Sequence, residues 1–159
     1  MDWSGLLKLL HIALAMALVT GVIGRWLLLR SAERSETIDR TEAVLEASDP
    51  FEMTVRVSSM LVVVVGLLTA WAQGYPWLGL TTGWMLAALI LSFGIAAMVP
   101  TIFLPSGRRF AIALDGARSA GQVTPELHAA FADPTVRAAH VAELIALAAI
   151  VALMVLKPF

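Results

Sequence analysis

The sequence predicts an all-α polytopic membrane protein, an antiparallel bundle of four transmembrane helices with short cytoplasmic amphipathic helices. Three observations carry this. The chain has 159 residues, 59% hydrophobic and only 14% charged, with a mean hydropathy of +0.84; an ordinary soluble domain carries roughly 25% charged residues. The charges avoid four apolar spans, Leu6–Leu29, Val57–Gln73, Trp84–Leu104 and Ala138–Leu156, whose 81 positions hold only Lys8, Arg25 and Glu143. Each span is near the roughly 20 residues that cross a hydrocarbon core about 30 Å thick. A net charge of -1 argues against a nucleic-acid partner, and zero cysteines exclude disulfides, thiolate metal sites and cysteine nucleophiles.

The first span reads as a retained helix. It has no basic residue before Lys8, its apolar run is long, and it ends at Arg25-Trp26 where a cleaved signal would carry small residues. Orientation follows from lysine and arginine in short connections. The connection Arg30–Arg56 holds Arg30, Arg34, Arg40 and Arg56, and Pro105–Arg137 holds Arg108, Arg109, Arg118 and Arg137. Gly74–Gly83 holds none. The two long connections are therefore predicted in the cytoplasm, with both termini and the short hairpin outside. The seven acids of the first connection do not overturn this, because acidic residues contribute little to the rule.

The second span is predicted to start near Pro50, because Asp49-Pro50-Phe51-Glu52 combines an N-cap acid, proline at the first helical position and glutamate in the first turn. Asp133-Pro134 gives the fourth span the same kind of start. Between spans three and four, Thr124-Pro125-Glu126 opens a short helix. Ser106–Ala120, stopped by Gly121, forms another, with Phe110 and Leu114 on one side suited to lying along the headgroups. Pro100 is expected to kink the third span. Trp3, Trp71, Trp77 and Trp84 outside and Trp26 inside form an aromatic belt. Without an internal repeat or linker, residues 1–159 form one integral membrane domain.

Two sets of residues could carry chemistry. His11 lies five residues into the first span, about 7.5 Å below its outer edge. An imidazole there is a natural axial ligand for haem iron; the structural alternative is a hydrogen bond to Gln73 or Thr69. Met154, at a comparable depth in the fourth span, is a second candidate ligand, whereas His140 lies near the opposite edge. Arg25, Arg56, His140 and Glu143 form an intramembrane polar cluster in which Arg25–Glu143 is the expected ion pair, and His140 shares the Glu143 face. His128, in a short cytoplasmic helix, is expected to be solvated. Ala13, Ala17, Gly21 and Gly24 make a small-residue packing face on the first helix, placed on the far side from His11 and open to a homodimer. No Walker loop, dinucleotide fingerprint, zinc-protease motif or serine-hydrolase elbow occurs, which argues against nucleotide-driven pumps and hydrolases.

The run Leu6–His11 (LLKLLH), the Gly83-Trp84 approach to the third span, and the tail from Asp133-Pro134 through His140 and Glu143 to Leu153–Phe159 together resemble the bacterial integral-membrane family catalogued as domain of unknown function 2269. More distantly the chain is similar to a four-helix group that includes copper-resistance D-type membrane proteins and the haem-containing membrane protoporphyrinogen oxidase. The resemblance implies a multi-pass protein of the bacterial inner membrane. It implies haem b as cofactor and a redox or haem-handling role, and it transfers one residue, His11, as ligand. The other class of function is a non-enzymatic small transporter, or an accessory subunit with a structural Arg25–Glu143 layer. The expected partner is the lipid bilayer, with a homo-oligomer or a larger membrane complex both compatible.

Overall fold

In the computed structural model, which describes residues 2–158, the chain is helical almost throughout and contains no strand among the described residues. Met1 and Phe159, the last residue of the resemblance tail, lie outside the described residues. Helix α1 spans Trp3–Glu33, α2 Ile38–Ala72, α3 Gly83–Met98, α4 Leu104–Ala120, α5 Pro125–Phe131 and α6 Pro134–Leu156, with a short 3₁₀ turn at Pro76–Gly79. Four helical stretches, Trp3–Glu33, Ile38–Ala72, Gly83–Ala120 and Pro125–Leu156, are long and apolar enough to cross a membrane.

The caps show why the helices start where they do. Asp2 accepts from Gly5 N–H at 3.1 Å, and the Ser4 hydroxyl and that N–H hold its carboxyl below the usual range. Asp133 accepts from Thr135 N–H at 2.8 Å, with Pro134 at the first position of α6. Thr124 caps α5 through Leu127 N–H at 3.3 Å. Gly121 ends α4 at φ 66°, a left-handed conformation that glycine adopts without a Cβ penalty.

Helix α2 departs from the sequence expectation. It begins at Ile38 with Thr37 as its cap, a full twelve residues before Pro50, which sits inside the helix. Proline removes one backbone donor and crowds the preceding turn. Burial overrides that cost: Ile38, Thr41 and Ser48, all in the first part of α2, are inside the protein. The long first connection is therefore only the short segment from Arg34 to Thr37.

The start of α2 is covered by α4 and α5. Ile38, Ala117 and Leu127 form a small core, with Phe110, Ala113, Leu114, Val123 and Phe131 packed against it. Phe110 and Phe131 meet edge to face at 4.9 Å. Phe110 and Leu114 thus face protein, and α4 is not a helix lying on headgroups by that side. Nor is α4 separate from α3: a π turn at Val99–Phe103, carrying Pro100, joins them into one continuous helical stretch.

The membrane-spanning part consists of two hairpins. α1 packs along α2, and α3 packs along α6, whereas the two hairpins meet each other sparsely. At the end where α1 begins and α6 stops, the segment after α2 meets the start of α3, where Tyr75 and Trp84 pack edge to face at 6.3 Å. Lys157 Nζ, just past α6, lies 5.5 Å from the Trp84 ring centre. Trp84 is consequently buried and leaves the belt, while Trp3, Trp71 and Trp77 stay exposed. The opposite end carries the arginines.

Candidate functional site

Two polar sites lie between the helices. At the first, His11 of α1 turns toward α2, and its Nδ1 lies 3.0 Å from the Val62 carbonyl oxygen. A carbonyl only accepts, so Nδ1 carries the proton and Nε2 keeps its lone pair. The ring rests on Gly66: a Cβ there would come within 2.8 Å of His11 Cε1. The partners expected for His11 on this helix were Thr69 and Gln73. Thr69 instead donates back to Val65 O at 2.6 Å, and Gln73 ends the helix. The hydrogen-bonding helix is the expected one, but the acceptor is a backbone carbonyl about two to three turns deeper.

The second site joins the two hairpins. Arg25 Nη2 donates to Glu143 Oε2 at 2.9 Å, and His140 Nδ1 lies 3.5 Å from the same oxygen. Glu143 and His140 are buried, and Arg25 is nearly so. Phe103 completes the group: its ring stacks on His140 at 4.9 Å, and the Arg25 guanidinium carbon lies 5.6 Å from its centre. Arg25 Nε is buried with no hydrogen-bond partner, so Glu143 and the Phe103 face are what compensate this cation. Toward the arginine-rich end, Arg137 of α6 pairs with Glu33 of α1, and Glu33 also lies 3.7 Å from Arg30. Opposite charges therefore alternate along the α1–α6 seam, with His140 between the two pairs.

Of the polar residues named from sequence, Arg25, Glu143 and His140 come together and Arg56 does not. Arg56 is exposed on α2 and makes no ion pair among the described residues. Phe103 and the Glu33–Arg137 pair were not foreseen. Phe103 reaches His140 from the π turn after Pro100, a change of helical phase that simple spacing does not give. Glu33 and Arg137 carry opposite charges at the ends of two adjacent helices, a signal that charge counting alone left unused.

Met154 of α6 is half-buried. Counted from the Arg25–Glu143 contact, His11 lies 14 residues and Met154 11 residues toward the hairpin end, about 21 and 16.5 Å along their helices. By the same count His140 is about 25 Å from His11. His128 is exposed on α5. Among the described residues, no group of three or more histidine, aspartate or glutamate side chains is placed to hold a metal ion.

The small-residue face of α1 packs within the chain. A Cβ at Gly21 would meet Val55 Cγ2 at 2.8 Å, Phe51 O at 3.2 Å and Val55 N at 3.3 Å, and one at Gly24 would fall on the Phe51 ring. Ala13, by contrast, is exposed. Gly21, Gly24 and His11 thus all abut α2, because the helices cross gradually along their length. The two faces of α1 distinguished in the sequence are not opposed in the fold.

Four apolar helices around buried, internally paired charges define an integral membrane protein. Residues 5–158 match the family described as predicted integral membrane protein, domain of unknown function 2269, and the chain belongs to that family. Comparison with curated proteins and with solved structures gives no match.

Proposed function

We propose that the protein is a haem-b-binding redox or haem-handling membrane protein of the bacterial inner membrane, with His11 as axial ligand through Nε2. The observation that carries this is the Nδ1–H to Val62 carbonyl bond. It fixes the tautomer, orients the ring and raises the basicity of the free nitrogen, as such second contacts do for ligating histidines. Gly66 supports the reading by leaving room for the ring close against α2. The two hairpins make few contacts with each other. Haem, when bound, would supply one-electron chemistry. The chain's own part is to present Nε2 from a rigid α1–α2 pair, with Met154 on the other hairpin as the second donor of this reading.

An absorption spectrum of protein purified from haem-replete cells tests it. A Soret band is expected, lost in His11→Ala and retained in His140→Ala, because about 25 Å of helix separates the two imidazoles. Loss in both variants, or a colourless wild type, overturns the haem reading.

The second reading, a small transporter or accessory subunit, is favoured by one observation: the buried Arg25–Glu143–His140 layer is where the hairpins engage. In it the layer acts as clamp or gate, and a colourless but folded protein supports it.

In both readings the arginine-rich end is cytoplasmic and the termini are outside. Reporter fusions after Arg34 and Gln122 should report cytoplasm, and fusions at Gly79 and the C-terminus should report the outside. An external signal from either of the first two sinks this orientation.

A further inference from the structure

We infer that the outer face of α2 is an interface with a second copy of this chain, closed by reciprocal Glu52–Arg56 pairs. The contacts of α1 with α2 fix the relative level of every residue on them. His11 lies against Val62 and Gly66, Gly21 against Phe51 and Val55, and Gly24 against Phe51. Arg56 therefore stands level with about residue 20 of α1, roughly 7.5 Å farther from the arginine-rich end than Arg25. Arg25 at its shallower level is paired and mostly covered, whereas Arg56 is exposed and, like exposed Glu52, makes no ion pair among the described residues.

At this same level α1 presents Met16 and Ile23 to the surroundings, 66% and 43% exposed. That is what a lipid-facing surface requires, and the α2 surface beside it is different. Glu52 and Arg56 share an exposed stripe with Met53 and Met60, 60% and 72% exposed, and with Val57. Charged side chains at such depth normally face protein or a water-filled cavity and pair there.

The stripe is complementary to itself. Two copies inserted with the same orientation are related by a two-fold axis along the membrane normal, which sets their α2 helices side by side at equal depth. Glu52 and Arg56 are one turn apart, about 6 Å along the axis. The arginine side chain spans that offset, so each Arg56 reaches the Glu52 of the other copy, and the pairing occurs twice. Met53, Val57 and Met60 supply the apolar contact around it. The small-residue face of α1 does not compete for this role, because Gly21 and Gly24 are already packed against α2.

The chain has no cysteine, so a single introduced cysteine reports the contact cleanly. Met60→Cys in membranes of the full-length protein should give a disulfide-linked dimer under mild oxidation, and Met16→Cys should not. Arg56→Glu added to Met60→Cys should lower the cross-linked fraction by about tenfold or more, as opposed like charges do. Exchanging both charges, Glu52→Arg with Arg56→Glu, should restore it, since the exchanged pair is again self-complementary. An Arg56 that only reaches lipid phosphate, or pairs with Glu52 on its own helix, gives no Met60→Cys dimer. A different partner protein gives a dimer yield that the exchange does not restore. Either outcome overturns the proposal, and neither depends on whether haem is bound.

Discussion

Glu143→Gln is expected to lower stability by about 3 kcal/mol, the low end of the 3–5 kcal/mol for leaving a buried charge uncompensated. The low end applies because a glutamine oxygen can still accept from Arg25, while the formal charge that balanced the guanidinium is gone. Among the described residues Arg25 bonds no acceptor but Glu143: its Nε is already without a partner, and the Phe103 face is a weaker compensation than a carboxylate. For a chain of this size the loss corresponds to a fall of about 6–12 °C in melting temperature. Adding Arg25→Gln should recover at least half of it, because two neutral amides leave no stranded charge. The measurement is thermal unfolding in a mild detergent for the wild type, both single variants and the double. Simple addition of the two single effects would mean that Arg25 reaches the headgroups instead and that the layer does not hold the hairpins together.

The Arg25–Glu143 contact shows what a single sequence can carry. Glu143 is the one charge of its apolar span and Arg25 the one charge in the inner half of its own, and helical rise puts both at one depth once the topology is set; the high cost of isolated charges in lipid then joins them. The four spans were legible for the same reason, since hydropathy responds to the bilayer, which acts on every residue alike. What could not be read was set by contacts between distant segments. Pro50 carries a strong local signal for a helix start, and it was overridden because Ile38, Thr41 and Ser48 are buried in the fold, Ile38 against α4 and α5. Phe110 and Leu114 show a membrane-surface pattern that a small protein core satisfies equally well. His11 was traced to the correct neighbouring helix but not to its acceptor, because every backbone carbonyl looks the same in a sequence and only the helix register selects Val62. Trp84 followed the belt rule by position and left it by packing beneath Tyr75 and Lys157.

Gly21→Leu should be the most damaging substitution in α1, and Ala13→Leu, two turns away on the same small-residue stripe, should be close to neutral. Both add the same apolar side chain to a membrane helix, so hydropathy and insertion cannot separate them. Packing does. A Cβ at position 21 already meets Phe51 O at 3.2 Å and Val55 N at 3.3 Å, and these are backbone atoms of α2 that cannot rotate away. The side chain beyond it can be accommodated only by moving α1 off α2, which also loosens Gly24 from Phe51 and His11 from Val62. Overpacking of this kind costs about 1–3 kcal/mol and sometimes more, and with a backbone neighbour the upper end, about 3 kcal/mol, is expected. Ala13 is exposed, so a leucine there only enlarges the outward face. Were the stripe a contact between copies, the order would reverse in a measurement of oligomeric state, with Ala13→Leu the disruptive change. Thermal unfolding and cross-linking of the two variants side by side decide between these uses of the same glycines: helix packing within one chain requires Gly21→Leu to lose stability while Ala13→Leu keeps both the stability and the oligomeric state of the wild type.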